Sequence, residues 1–142
     1  MTQLSIKYTE NLSEEANQKM NAGHEKYERE HGIEINYKKF AYLIEDEKGE
    51  TFGVLSAYTA YTEIYIDDLW VDEAYRRQGY GRQLLQAVEN QFQGRGYNNI
   101  NLVTSEFNAP EFYKKCGYEV EFIRVHKTNP KLTKTFFIKY LS

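Results

Sequence analysis

The chain lacks most of what would place it outside the cell, in a membrane or on nucleic acid. It has a single cysteine, Cys116, so it cannot form an internal disulfide, and disulfide-poor chains suit a reducing compartment. No apolar run approaches the ~20 residues that a membrane-spanning helix needs. The first residues, Met1-Thr2-Gln3-Leu4-Ser5-Ile6-Lys7-Tyr8, contain no apolar stretch of the kind that drives secretion. These absences together predict a cytoplasmic protein. The net charge is −3, with both signs scattered along the chain. There is thus no clustered basic face for nucleic acid. His24, His31 and His126 lie too far apart in sequence to suggest a metal site. No repeat, low-complexity run or linker interrupts the chain. One residue type is abundant instead: 13 Tyr stand against a single Trp. Tyrosine has an apolar body and a polar tip, which suits half-buried strands and wet clefts.

At 142 residues the chain fits one domain, 1–142, able to bury a core. Residues 2–8 alternate as a short strand. Residues 13–30 read as a surface helix, with Ser13 as N-cap, Glu14 and Glu15 at its positive end and Gly32 beyond its end. Strands follow at Phe40 to Ile44, Thr51 to Thr59 and Tyr61 to Val71, with a turn at Lys48-Gly49. Leu84, Leu85, Val88 and Phe92 recur at helical spacing and mark a helix from Gly79 to Gln93, closed by Gly94 and Gly96. Ile100, Leu102 and Val103 mark a buried strand. A short helix covers Ala109 to Cys116, opened by Asn108 as a cap with Pro110 in the first turn and ended by Gly117. Tyr118 to Val125 and Thr133 to Leu141 are the last strands, joined by a basic, solvated hairpin. The order β-α-βββ-α-β-α-ββ predicts a mixed α/β fold of the α+β type, with a central sheet flanked by helices.

The third strand contains an irregularity. Ile64 and Ile66 are apolar at even positions, Leu69 and Val71 at odd ones. A strand has a strict period of two, so its apolar face changes phase at Asp67-Asp68. One extra residue, a β-bulge, produces that shift, and bulges recur beside active sites.

Directly after this strand stand Arg76-Arg77-Gln78-Gly79-Tyr80-Gly81-Arg82 and the amphipathic helix. A strand, a glycine-containing loop and a helix N-terminus together present free N–H groups at the positive end of a helix dipole. Gly79 and Gly81 leave room for an anion to approach, and the arginines add charge. A P-loop would need Gly-Lys-Ser/Thr where the chain has Gly81-Arg82-Gln83. A dinucleotide fingerprint would need a third glycine where it has Leu84. The pattern R-x-x-G-x-G fits at Arg76, Gly79 and Gly81.

The run from Asp68 to Leu85, which includes Leu69-Trp70-Val71-Asp72 and the R-x-x-G-x-G loop, resembles the acyl-coenzyme A motif of the GNAT N-acetyltransferases. Ala109-Pro110-Glu111-Phe112-Tyr113-Lys114-Lys115-Cys116-Gly117-Tyr118 is similar to their later A-x-x-F-Y-x-x-x-G-F/Y block. The resemblance is strong over residues 50–125. It implies a mostly antiparallel central sheet of six to seven strands with a bulged, splayed central strand. It also implies acetyl-CoA as cofactor, leaving as coenzyme A, and transfer of its acetyl group to a primary amine through a tetrahedral intermediate. The amine could belong to a small molecule, a peptide N-terminus or a lysine. By the same resemblance, the Leu69 backbone donates to the oxyanion, Val71 pairs with the pantetheine amides and Tyr113 donates a proton to the departing thiolate. Trp70, Gln78, Tyr80, Arg82 and Phe112 belong to the same cofactor-binding stretches as Arg76, Arg77, Gly79 and Gly81.

One position departs from the pattern. Seven residues before Tyr113, where the family often has an Asn on the pantetheine arm, stands Glu106. Asn108 either takes that role from a shifted position or only caps the helix. Asp67 and Asp68, with Glu63 and Tyr65 upstream, are the candidates to hold or deprotonate the amine. Acidic and aromatic groups between Tyr58 and Asp68 suit a cationic acceptor. Cys116 reads as a small core residue rather than a nucleophile. The C-terminal edge strands would gain cover in a homodimer. Two other classes remain open: a non-catalytic acyl-CoA sensor with the same fold, and a nucleotide-binding module. The incomplete P-loop and dinucleotide patterns disfavour the module.

Overall fold

The computed structural model describes residues 3–142. The chain divides into two units, Met1–Ile35 and Asn36–Ser142.

The first unit holds one helix, α1 (Glu14–Glu30). Ser13 caps it, accepting from the Ala16 N–H at 3.1 Å, and Glu14 and Glu15 sit where the dipole favours them. Gly32 takes φ 70° just past its end, the left-handed geometry that stops a helix. None of its residues is buried. The strand expected at residues 2–8 does not form over 3–8, and Met1 and Thr2 lie outside the described residues. Leu4, Ile6 and Tyr8 are exposed. Their alternation is real, but a strand also needs a neighbour to bond its backbone, and this segment has no ladder partner among the described residues.

The second unit is a six-stranded sheet in the order β1-β2-β3-β4-β6-β5. Its strands are β1 (Lys38–Glu45), β2 (Thr51–Ala60), β3 (Glu63–Val71), β4 (Asn99–Ser105), β5 (Glu119–Arg124) and β6 (Lys134–Tyr140). Every neighbouring pair is antiparallel except β3 and β4. Helix α2 (Tyr80–Phe92) connects these two, as a parallel pair requires. Its Leu84, Leu85, Val88 and Phe92 are buried in a core with Leu55, Ile64, Ile100 and Phe137. Each such side chain contributes ~1.5–3 kcal/mol by burial, which fixes α2 and the loop before it. Short helix α3 (Glu111–Lys115) follows β4. Lys139 of β6 bridges the two helices: it pairs with Glu89 of α2 at 2.7 Å and donates to the Cys116 carbonyl at 3.0 Å.

Two boundaries differ from expectation. Strand β3 begins at Glu63 rather than Tyr61, because Tyr61 and Thr62 form the tight turn from β2 and Tyr61 takes φ 56°. Asn108 does not cap α3. It ends a 3-10 turn, Glu106–Asn108; Ala109 then turns through φ 55°, and Pro110 opens the helix. The first helical N–H groups bond main-chain carbonyls instead, Phe112 to Ala109 at 3.2 Å and Tyr113 to Pro110 at 3.1 Å.

Candidate active site

The site forms where two strands part company. Strands β3 and β4 pair only from Glu63↔Asn99 to Tyr65↔Asn101. Beyond that point β3 continues against β2 to Val71, and β4 continues against β6 to Ser105. The result is a fork. Its apex is tied by Glu63, whose carboxylate accepts from Tyr65 Oη at 3.0 Å, Asn99 Nδ2 at 3.2 Å and Asn101 Nδ2 at 3.1 Å. A carboxylate with three donors is a clamp across the apex rather than a free base.

The bulge lies on the β3 arm of the fork. Ser56 faces Asp68 and Ala57 faces Ile66, which leaves Asp67 as the extra residue. Leu69 and Val71 consequently pack on the same core as Ile64 and Ile66. The ladder also fixes where their backbones point. Asp72 donates to the Phe52 carbonyl at 2.8 Å, so residues 72, 70 and 68 bond toward β2. In an antiparallel ladder the intervening residues face the other way. The N–H and C=O groups of Leu69 and Val71 therefore face the open fork. The Val71 carbonyl is reached there by Arg76 Nε at 3.0 Å.

Two chambers meet at this point. The larger, about 440 Å³, lies between the fork, the loop before α2 and α3; Leu69, Val71, Arg76, Arg77, Gly79 and Phe112 are on its wall. Tyr80, Gly81 and Arg82, the first residues of α2, also line it. The first helical bond runs from Gln83 to Gly79 at 3.0 Å, so the N–H groups of residues 80–82 have no helical partner. They form an anion cradle at the positive end of the dipole. Gly79 adopts φ 87° with nothing within 4 Å of the position of a Cβ, which suits a bulky anion there. Gly81 also meets a packing constraint that the motif alone does not show. A Cβ on it would meet the Phe112 ring at 3.0 Å, so this glycine lets α3 dock on α2. Arg82 strengthens that docking by donating to the Lys115 carbonyl at 3.1 Å.

The smaller chamber, about 360 Å³, opens between the arms of the fork. Asp67 and Asp68 line one side; Val103, Thr104, Ser105 and Lys134 line the other. Leu69, Asn108 and Tyr113 border both chambers. Burial pushes the Tyr113 phenol up to about 12, with smaller contributions from Cys116 and Asp68. It is therefore a neutral O–H donor at any physiological pH. Cys116 is buried in the core, and burial raises its thiol as well, which leaves it a packing residue. On the sheet face opposite Ile64 and Ile66, Tyr58 and Tyr65 stack at 5.0 Å and 13°, with Tyr37 at 5.6 Å on Tyr58. Burial raises Tyr58, and the nearby Asp67 carboxylate raises it further.

Most residues singled out from the sequence converge here. Trp70 and Gln78 do not border either chamber. Trp70 alternates to the opposite sheet face from Leu69 and Val71 and is exposed, while Gln78 donates to the Ala74 carbonyl at 3.4 Å. Sequence reasoning missed Tyr75 in the larger chamber and Val103, Thr104, Ser105 and Lys134 in the smaller. Tyr75 packs against Phe52 beside the motif, the rings tilted by 43° at 4.3 Å. The others come together only through the pairing of Ser105 with Lys134.

Residues 7–118 match the model of the acetyltransferase (GNAT) family. An acetyltransferase structure from Bacillus cereus ATCC 14579 is 30% identical and superposes with a TM-score of 0.77, covering 95% of this chain and 98% of that one. Blasticidin-S acetyltransferase of Streptomyces morookaense is 32% identical over 75 residues, 52% of this chain and 55% of that protein. The match thus spans about half the length of that curated relative. An aminoglycoside 6'-N-acetyltransferase solved with coenzyme A shares the fold at 19% identity and a TM-score of 0.61, covering 89% of this chain and 78% of that one.

Proposed function

The chain belongs to the GNAT acetyltransferase family, and on that premise we propose that it transfers the acetyl group of acetyl-CoA to a primary amine on a small molecule. The observation that carries this reading is the meeting of an anion-cradling chamber and an acidic chamber at Leu69, Asn108 and Tyr113. The larger chamber suits the acyl donor. The N–H groups at the start of α2, with Arg77 and Arg82 nearby, would hold its pyrophosphate. The Val71 backbone would pair with its pantetheine arm, and Asn108, no longer needed as a cap, is free to bind that arm. The donor supplies an activated thioester carbonyl and a good leaving group.

The rest of the chemistry falls to the chain. Asp67 and Asp68 attract the ammonium form of the acceptor and accept its proton, directly or through water, so that the amine attacks as the free base. The Leu69 N–H, directed into the fork, donates to oxygen as negative charge develops there. As the C–N bond forms and the C–S bond breaks, the Tyr113 hydroxyl meets the thiolate. A phenol held at about 12 is a poor full donor to a thiolate of conjugate pKa ~8.5. Its better role is a hydrogen bond that stabilises the leaving sulfur until solvent supplies the proton. Small amines are favoured because an acetyltransferase for blasticidin S is among the similar proteins.

The test is thiol release from acetyl-CoA across a panel of small amines, with the acetylated product identified by mass. Release that depends on the amine and yields an N-acetyl product is expected. Tight coenzyme A binding with no amine-dependent release would instead identify an acyl-CoA sensor.

A further inference from the structure

We propose that Lys134 reads an anionic group on the acceptor, so that the preferred substrate is an amphoteric amine, such as a diamino acid, rather than a simple cationic amine. This rests on the smaller chamber being the acceptor site. That chamber has two walls of opposite charge. Asp67 and Asp68 stand on the β3 arm of the fork, and Lys134, the first residue of β6, stands on the other. The register places Lys134 beside Ser105 of β4, and both residues line that wall. The walls are distinct because β3 and β4 are unpaired beyond Tyr65 and Asn101.

Among the described residues Lys134 enters no salt bridge. An unneutralised ammonium facing an acceptor site has a definite consequence. It repels a substrate that is only cationic, and so opposes what the two carboxylates achieve. An acceptor that carries a carboxylate or similar anion a few atoms from its amine converts that repulsion into attraction. Its amine lies toward Asp67 and Asp68, its anion toward Lys134, and Ser105, paired with Lys134, is placed to donate to the anion. The sign pattern also sets direction, because reversal of the molecule would place like charges together on both walls. Lysine suits this reading as a compact, strongly hydrated point charge on a flexible stem.

The experiment compares kcat/KM for L-lysine, L-lysinamide and cadaverine, in the wild-type protein, Lys134→Met and Lys134→Glu. These acceptors differ at the group Lys134 would meet. L-Lysine is expected to exceed lysinamide and cadaverine by about twofold to fivefold, the scale of a partly solvated charge pair. Lys134→Met should level the three, and Lys134→Glu should invert the order. Lys134 is exposed at the start of its strand, so both variants should fold, and unchanged coenzyme A affinity would report that they do. An unchanged order in Lys134→Glu, or a wild-type preference for cadaverine, would overturn the proposal. Calorimetric binding of the same three molecules with coenzyme A present gives a second readout. It still reports on Lys134 if none of them releases thiol, the result that would count against the acetyltransferase reading instead.

Discussion

The two chambers that share Tyr113 are built in opposite ways. The larger is drawn mainly from two short stretches, Leu69 to Arg82 and Asn108 to Tyr113, and its charge comes from helix N–H groups and arginine. The smaller is drawn from β3, β4 and β6, strands distant in sequence, and its charge comes from two aspartates and one lysine. One chamber is therefore a local motif held by α2, and the other is a product of topology. A local motif can be retained while a topological wall changes one strand at a time. On the proposed function, the first chamber takes the common reagent and the second carries selectivity. That division predicts that substitutions on either side separate cleanly, in cofactor affinity on one and acceptor KM on the other.

The largest separation is expected at Gly79. Gly79→Val forces a β-branched residue into φ 87°, a region that costs such residues ~1–3 kcal/mol, and tilts the N–H groups that follow. Coenzyme A affinity should fall on the order of 100-fold by calorimetry, since each charge-assisted bond is worth ~1.5–3 kcal/mol. Wild-type affinity in a folded variant would remove the pyrophosphate from this loop.

On the other side, Asp67→Asn with Asp68→Asn should raise acceptor KM about tenfold and leave coenzyme A affinity within about twofold, as expected for one or two partly solvated charge contacts. Equal losses in both would show that the chambers are not independent.

The same contrast explains how much could be read from the sequence. The bulge was legible because Ile64, Ile66, Leu69 and Val71 record the phase change in their own order, and the structure places the extra residue at Asp67. The lining of the larger chamber was legible because its glycines and arginines are clustered in one short stretch. Lys134 was not, because nothing local ties it to Asp67; only the β4–β6 register does. Two errors share a different cause. The strand at residues 2–8 and the cap at Asn108 were inferred from local preference, and local preference cannot say whether a partner strand or a free N–H is present. The packing role of Gly81 was not legible either, since the Phe112 ring it meets comes from a distant stretch.

Gly81 supplies a smaller test. Gly81→Ala puts a methyl 3.0 Å from Phe112 Cζ, an overpacking that costs ~1–3 kcal/mol. Chemical denaturation should show that loss, and Phe112→Leu in the same chain should recover part of it. Additive, rather than compensating, effects would mean that α3 docks elsewhere.

The smallest effect is expected at Tyr118, whose buried hydroxyl has no hydrogen-bond partner among the described residues. Tyr118→Phe should be neutral or stabilise by about 1 kcal/mol at pH 8, because no bond is lost and one desolvated group is removed. It should also soften alkaline unfolding. Burial raises both Tyr118 and Tyr113, so the folded chain holds these protons more tightly than the unfolded one. For Tyr113, that contribution is complete below the unfolded value of ~10 and is lost as pH rises through about 12. Denaturation curves at pH 8 and pH 11 for wild type and Tyr118→Phe would show whether the loss shrinks.

Tyr113 is where the two chambers become one site, and a single-turnover measurement on Tyr113→Phe probes that junction directly. The variant keeps the ring that packs on Phe112, Tyr118 and Phe137, and loses only the hydroxyl. With saturating acetyl-CoA and amine, acetyl transfer should slow ~10²–10³-fold, the usual loss when a donor to developing charge is removed. Coenzyme A affinity and acceptor binding should stay near wild type. Transfer at the wild-type rate in a folded Tyr113→Phe protein would contradict the account.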